Sequence, residues 1–131
     1  MYIDGKVWIG NNDQGERIGI IPKMVNRHGL VAGATGTGKT VTLKVMAETF
    51  SDMGIPVFMA DVKGDIAGMM NPGTDSEDMQ KRIEKFNLTN AGFAYKGYPV
   101  TLWDIYGVKG IQLRTTISEM LSLIHISEPT R

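Results

Sequence analysis

The chain has 131 residues, 42% of them hydrophobic, and its 14 basic and 14 acidic side chains cancel. That size suits one domain or part of one. The charge balance excludes a global electrostatic footprint for nucleic acid, leaving only a local basic loop in a larger assembly as a route to it. No apolar run approaches the ~20 residues of a membrane span and no signal peptide opens the chain, so no membrane partner is expected. With zero cysteines there are no disulfides or thiolate metal sites, which fits a cytoplasmic location.

In chain order, Lys6-Val7-Trp8-Ile9-Gly10 and Arg17-Ile18-Gly19-Ile20-Ile21 flank the turn cluster Asn11-Asn12-Asp13-Gln14-Gly15. Two short alternating apolar runs about such a cluster predict a β-hairpin, which Pro22 ends. His28, beside a strand start, reads as structural. Gly29-Leu30-Val31-Ala32 reads as a short buried strand running into Gly33-Ala34-Thr35-Gly36-Thr37-Gly38-Lys39-Thr40. These eight residues fit the phosphate-binding P-loop, G-x-x-x-x-G-K-[ST], at every fixed position. A polyphosphate is a dense negative charge that must be wrapped by donors. Glycines let the backbone turn tightly and approach it, successive N–H groups form an anion nest, and the start of a helix adds free amides and a positive dipole end. Gly33, Ala34, Thr35, Gly36, Thr37, Gly38, Lys39 and Thr40 are therefore the candidate ATP-binding residues. Lys39, the candidate catalytic group, is expected on the β- and γ-phosphates, and the Thr40 hydroxyl on Mg²⁺.

Thr40 to Met53 predicts a helix, with Val41, Val45, Met46, Phe50 and Met53 near helical spacing and Gly54 as its stop. Ile55-Pro56-Val57-Phe58-Met59-Ala60-Asp61 predicts a second buried strand. An apolar run ending in Asp resembles Walker B. In RecA-like ATPases, however, that element lies on a later strand and is usually followed by a catalytic Glu, whereas Val62-Lys63-Gly64-Asp65 follows here. Asp61 is thus read as a loop residue at the carboxyl edge of the sheet, structural or in a subunit contact, with a role behind the site left open.

Asn71-Pro72-Gly73 predicts a turn, and Thr74-x-x-Glu77 matches a capping box for a helix with an apolar stripe at Met79, Ile83 and Phe86. Its charges, Glu77, Asp78, Lys81, Arg82, Glu84 and Lys85, read as a solvated face. Tyr98 to Asp104 and Ile111 to Arg114 predict further strands about a turn from Tyr106 to Gly110. Trp103 and Tyr106 read as core or interface packing, with base stacking as the alternative. Ser118 and Glu119 read as the start of another helix.

Four stretches taken together carry a narrower resemblance. They are Pro22-Lys23-Met24-Val25-Asn26-Arg27-His28-Gly29 leading into the P-loop, Ala60-Asp61-Val62-Lys63-Gly64-Asp65, Trp103-Asp104-Ile105-Tyr106-Gly107, and Arg114-Thr115-Thr116-Ile117-Ser118-Glu119-Met120. The pattern resembles the HerA-like ATPases of the FtsK–HerA P-loop superfamily, in the helicase HerA-like group. It implies an α/β fold: a three-layer, RecA-like P-loop core, here partial and preceded by the small hairpin. It also implies use of ATP and Mg²⁺, a ring-shaped homo-oligomer, and motor work on DNA. Arg114 is an arginine-finger candidate by residue type alone.

The resemblance stops after Met120. Residues 121–131 read LSLIHISEPTR and resemble a translated sequencing-library adapter; a native helix containing His125 is the alternative. The expected organisation is then a hairpin and lead-in over 1–25, a partial ATPase domain over 26–120 and a non-native tail over 121–131. The native part is expected to be an amino-terminal fragment that binds ATP·Mg²⁺ without turning over. Two other classes stay open: a P-loop phosphotransferase, and a non-catalytic nucleotide-binding scaffold module.

Overall fold

The computed structural model describes residues 1–61, 63–104 and 106–113. They divide into two units, Met1–Pro99 and a second that begins at Val100. The first unit opens with the expected hairpin. Strands β2 (Lys6–Asn11) and β3 (Arg17–Ile20) pair antiparallel, Val7 opposite Ile20 and Asn11 opposite Arg17, with a bulge between Trp8 and Gly10. The connection is held locally: the Asn12 side-chain carbonyl accepts from the amides of Gln14 at 3.0 Å and Glu16 at 2.8 Å. A third strand, β1 (Tyr2–Ile3), pairs with β2 on its other side through a turn in which Asp4 adopts φ 52°. Two residues are too short a run for alternation to reveal.

Helix α1 (Lys39–Asp52) lies within one residue of its predicted span. It packs against β2, and Val7, Ala47 and Leu88 form the buried apolar centre of the unit. The expected stripe is corrected at its start. Val41 is 51% exposed, and the buried helix residues are Ala47 and Thr49. These side chains are small enough for the helix backbone to come close to the strand. The buried Thr49 hydroxyl is satisfied: it donates to the Val45 carbonyl at 2.6 Å and accepts from the Met1 amine. Burial pushes that amine's pKa down and raises the carboxyl of the neighbouring Glu48.

Helix α2 (Glu77–Lys85) is capped by Ser76, whose hydroxyl accepts from the Met79 amide at 3.2 Å. This corrects the capping box expected from Thr74. Asp75 also contributes, its carboxylate accepting from the Gln80 amide group and the Tyr95 hydroxyl. The apolar stripe is as expected, with Met79, Ile83 and Phe86 half-buried and the charged face in solvent. Phe86 meets Trp8 edge-on at 5.9 Å, which ties the helix to β2.

The two runs expected as core strands differ from the prediction. Gly29–Ala32 and Ile55–Asp61 form no ladder among the described residues, and Leu30 and Phe58 are 89% and 86% exposed. A parallel strand draws all its hydrogen bonds from neighbours, so apolar character alone does not make one. The described residues are thus α/β, with two helices and two small sheets, and the first unit has no parallel central sheet among them.

In the second unit, β4 (Trp103–Asp104) and β5 (Ile111–Gln112) pair in parallel, Trp103 opposite Ile111. Both are shorter than predicted. Trp103 and Tyr106 are 57% and 85% exposed, so neither fills a core within the described residues. Arg114, the helix start at Ser118 and Glu119, and the stretch 121–131 lie outside the described residues.

Candidate functional site

The eight P-loop residues join the Gly29–Ala32 run to α1, and they are exposed except for half-buried Gly38 and Lys39. The glycines act in two different ways. Gly36 and Gly38 take φ of 84° and 90°, the left-handed region that disfavours a side chain. Gly33 has no such φ. A Cβ there would instead meet the Thr37 Oγ1 at 2.6 Å, so its role is space. Gly38 is the N-cap of α1, and no side chain satisfies the amides of the first turn. Among the described residues nothing accepts from the amides of Gly36, Gly38, Lys39 or Thr40, which leaves them as donors for an anion.

Three donors converge on one carbonyl. The Ala34 oxygen accepts from the Lys39 ammonium at 2.7 Å, the Thr37 hydroxyl at 2.8 Å and, at 3.4 Å, the Thr37 amide. Lys39 is therefore folded back onto the loop that it would serve. The donor set fits a polyphosphate: backbone N–H groups, a cation and, at the start of α1, the hydroxyl of Thr40. Among the described residues no group of three or more His, Cys, Asp and Glu side chains could hold a metal on its own. A cation at Thr40 would therefore need ligands from the phosphates and water as well.

An open cleft of ≈ 390 Å³ is lined by Thr40 and Leu43 of α1 and by Phe58, Met59, Ala60, Asp61, Lys63, Asp65 and Ile66. Sequence reasoning placed Asp61 at a loop edge, and the structure shows what its carboxylate does there. Oδ1 accepts from the amides of Gly64 at 2.8 Å and Asp65 at 3.1 Å, and Oδ2 from that of Ile66 at 2.9 Å. Those amides, the Ile66 N–H first, hold its pKa below the usual carboxylate value. Both oxygens are engaged in shaping the loop.

The same device recurs at Asp104, which sequence reasoning did not single out for a role. Its Oδ1 accepts from the Tyr106 amide at 2.9 Å, and its Oδ2 from Val108 at 2.7 Å and Lys109 at 2.9 Å, and its pKa too is lowered, chiefly by the Lys109 amide. The signal was present as a shared pattern, Asp-x-x-Gly, at 61–64 and 104–107. Gly64 and Gly107 both have positive φ, at 79° and 70°. A short acidic side chain reaches amides two to five residues on only if the chain reverses there. His28 is exposed and the structure gives it no part in the loop.

Among the described residues, no helix is long and apolar enough to cross a membrane. A family model described as "Helicase HerA-like C-terminal" matches residues 6–127. The match is to a C-terminal domain, where the resemblance had implied an amino-terminal fragment, and it runs past Met120 into the stretch 121–131. No curated protein and no solved structure matches the chain.

Proposed function

The chain belongs to the HerA-like helicase family, and on that premise we propose that residues 33–40 bind the phosphates of ATP as the nucleotide site of a motor ATPase. The observation that carries the reading is the convergence of Lys39 and Thr37 on the Ala34 carbonyl, at 2.7 and 2.8 Å, in a loop whose amides at 36, 38, 39 and 40 have no acceptor among the described residues. Lys39 exchanges that carbonyl for oxygens of the β- and γ-phosphates, and the amides of Gly36, Gly38, Lys39 and Thr40 donate to the same anion. The Thr40 hydroxyl would be the protein's ligand for Mg²⁺, which would offset the phosphate charge. For the assembled motor the reading extends to a three-layer RecA-like core, ATP hydrolysis, a ring-shaped homo-oligomer and movement or remodelling of DNA.

The test is titration of a fluorescent ATP analogue in Mg²⁺ against wild type and Lys39→Ala. Loss of a charge-assisted contact made by this lysine is expected to weaken binding at least about tenfold. Equal affinity in the two proteins would refute the phosphate-binding assignment.

A further inference from the structure

The loop that Asp61 ties together has an outward-facing consequence. Asp61 commits both carboxylate oxygens to the amides of Gly64, Asp65 and Ile66, which fixes the turn that carries Lys63. Lys63 sits inside that turn and lines the same cleft as Thr40. Among the described residues it has no ion-pair or hydrogen-bond partner, and Asp65, two residues on and also in the cleft wall, does not pair with it.

The direction of the cleft matters. If the P-loop holds a nucleotide, Thr40 marks the end at which the metal, and with it the terminal phosphate, would lie. Thr40 and Lys63 line that one cleft. A cation on its wall is then placed near charge that a triphosphate has and a diphosphate lacks. Lysine suits this position because it is a compact point charge on a flexible stem, able to reach an oxygen from a fixed loop. We propose that Lys63 is a second phosphate-contacting residue, distinct from Lys39, that distinguishes a nucleoside triphosphate from the diphosphate.

This inference rests on the P-loop reading, and the experiment separates the two. Affinities of a non-hydrolysable ATP analogue and of ADP are measured calorimetrically with Mg²⁺, on the intact chain and on Lys63→Ala, Lys63→Gln and Lys63→Arg. The two neutral variants should lose about tenfold in affinity for the triphosphate and less than about twofold for ADP, while Lys63→Arg keeps the preference because it keeps the charge. Lys39→Ala should weaken both nucleotides, which marks the P-loop itself. Lys63 is exposed, and an unchanged far-UV circular dichroism spectrum verifies that each variant is folded. Equal losses for ATP analogue and ADP, or no loss for either, would overturn the assignment of Lys63 while leaving that of Lys39 standing. A chain that binds neither nucleotide would remove the P-loop reading and this one with it.

Discussion

Gly33→Ala isolates the role that space plays in the loop over residues 33–40, proposed above to bind phosphate. The new Cβ would lie 2.6 Å from the Thr37 Oγ1, but 3.6 Å from the Thr37 Cβ and 3.7 Å from the Lys39 Cγ, which are ordinary contacts. The backbone at 33 has no positive φ, so alanine is not strained there for its own sake. The conflict is with one rotatable hydroxyl. Turning Thr37 away relieves it and gives up the 2.8 Å bond to the Ala34 carbonyl. A hydrogen bond of that kind contributes about 1 kcal/mol net, which corresponds to roughly a fivefold change in an equilibrium constant. Gly33→Ala should therefore weaken binding of an ATP analogue about fivefold. In a Thr37→Ala background, where the hydroxyl is already gone, the same substitution should cost almost nothing. A double-mutant cycle on nucleotide affinity gives the coupling, expected at about 1 kcal/mol. If Gly33→Ala costs the same with and without the Thr37 hydroxyl, the clash is not the reason for glycine at 33.

Two other outcomes follow from the packing and the carboxylate turns. Val7 is fully buried in a small core. Val7→Ala removes the equivalent of two methylenes, worth about 0.8 kcal/mol each, and leaves a cavity, so urea denaturation followed by circular dichroism should show a loss of about 2–3 kcal/mol; a loss under about 0.5 kcal/mol would mean that β2 is not the anchor of α1. The pKa values of Asp61 and Asp104 are depressed by backbone amides. A depressed carboxyl stabilises its turn above the unfolded pKa, about 3.9, and the contribution is lost as pH falls through the lower folded value. The amide resonances of Ile66 and Lys109 should therefore hold down to pH ~4 and shift only below it; midpoints at or above about 3.9 would contradict the geometry.

What was legible in the sequence is what is decided within a few residues. The glycine turn over 33–40, the helix after it, the β2–β3 turn and the amphipathic face of α2 all rest on contacts between positions no more than about five apart, and each lies close to its expected place. Where local signals competed, the structure chose: Ser76 and not Thr74 caps α2, because the capping hydroxyl must stand directly before the first helical turn. The Asp-x-x-Gly turns belong to the same local class; the turn after Asp104 was expected and Asp61 was read as a loop residue, but the carboxylate's part in each turn was not. The residue types at 33, 36 and 38 were also legible, but their reasons were not. Whether a glycine serves dihedral freedom or room depends on where the chain next passes, and at 33 that is Thr37. Non-local pairing was beyond the sequence. Alternation cannot say that Tyr2–Ile3 joins β2, that α1 buries Ala47 and Thr49 in place of Val41, or that Leu30 and Phe58 stay exposed. An apolar run records only that burial is favourable; a strand also needs a neighbour to take its backbone hydrogen bonds, and a helix face needs a surface of matching shape. For the same reason only tertiary structure could bring Thr40 and Lys63 to one cleft, two residues whose separation in sequence carries no hint of a shared site.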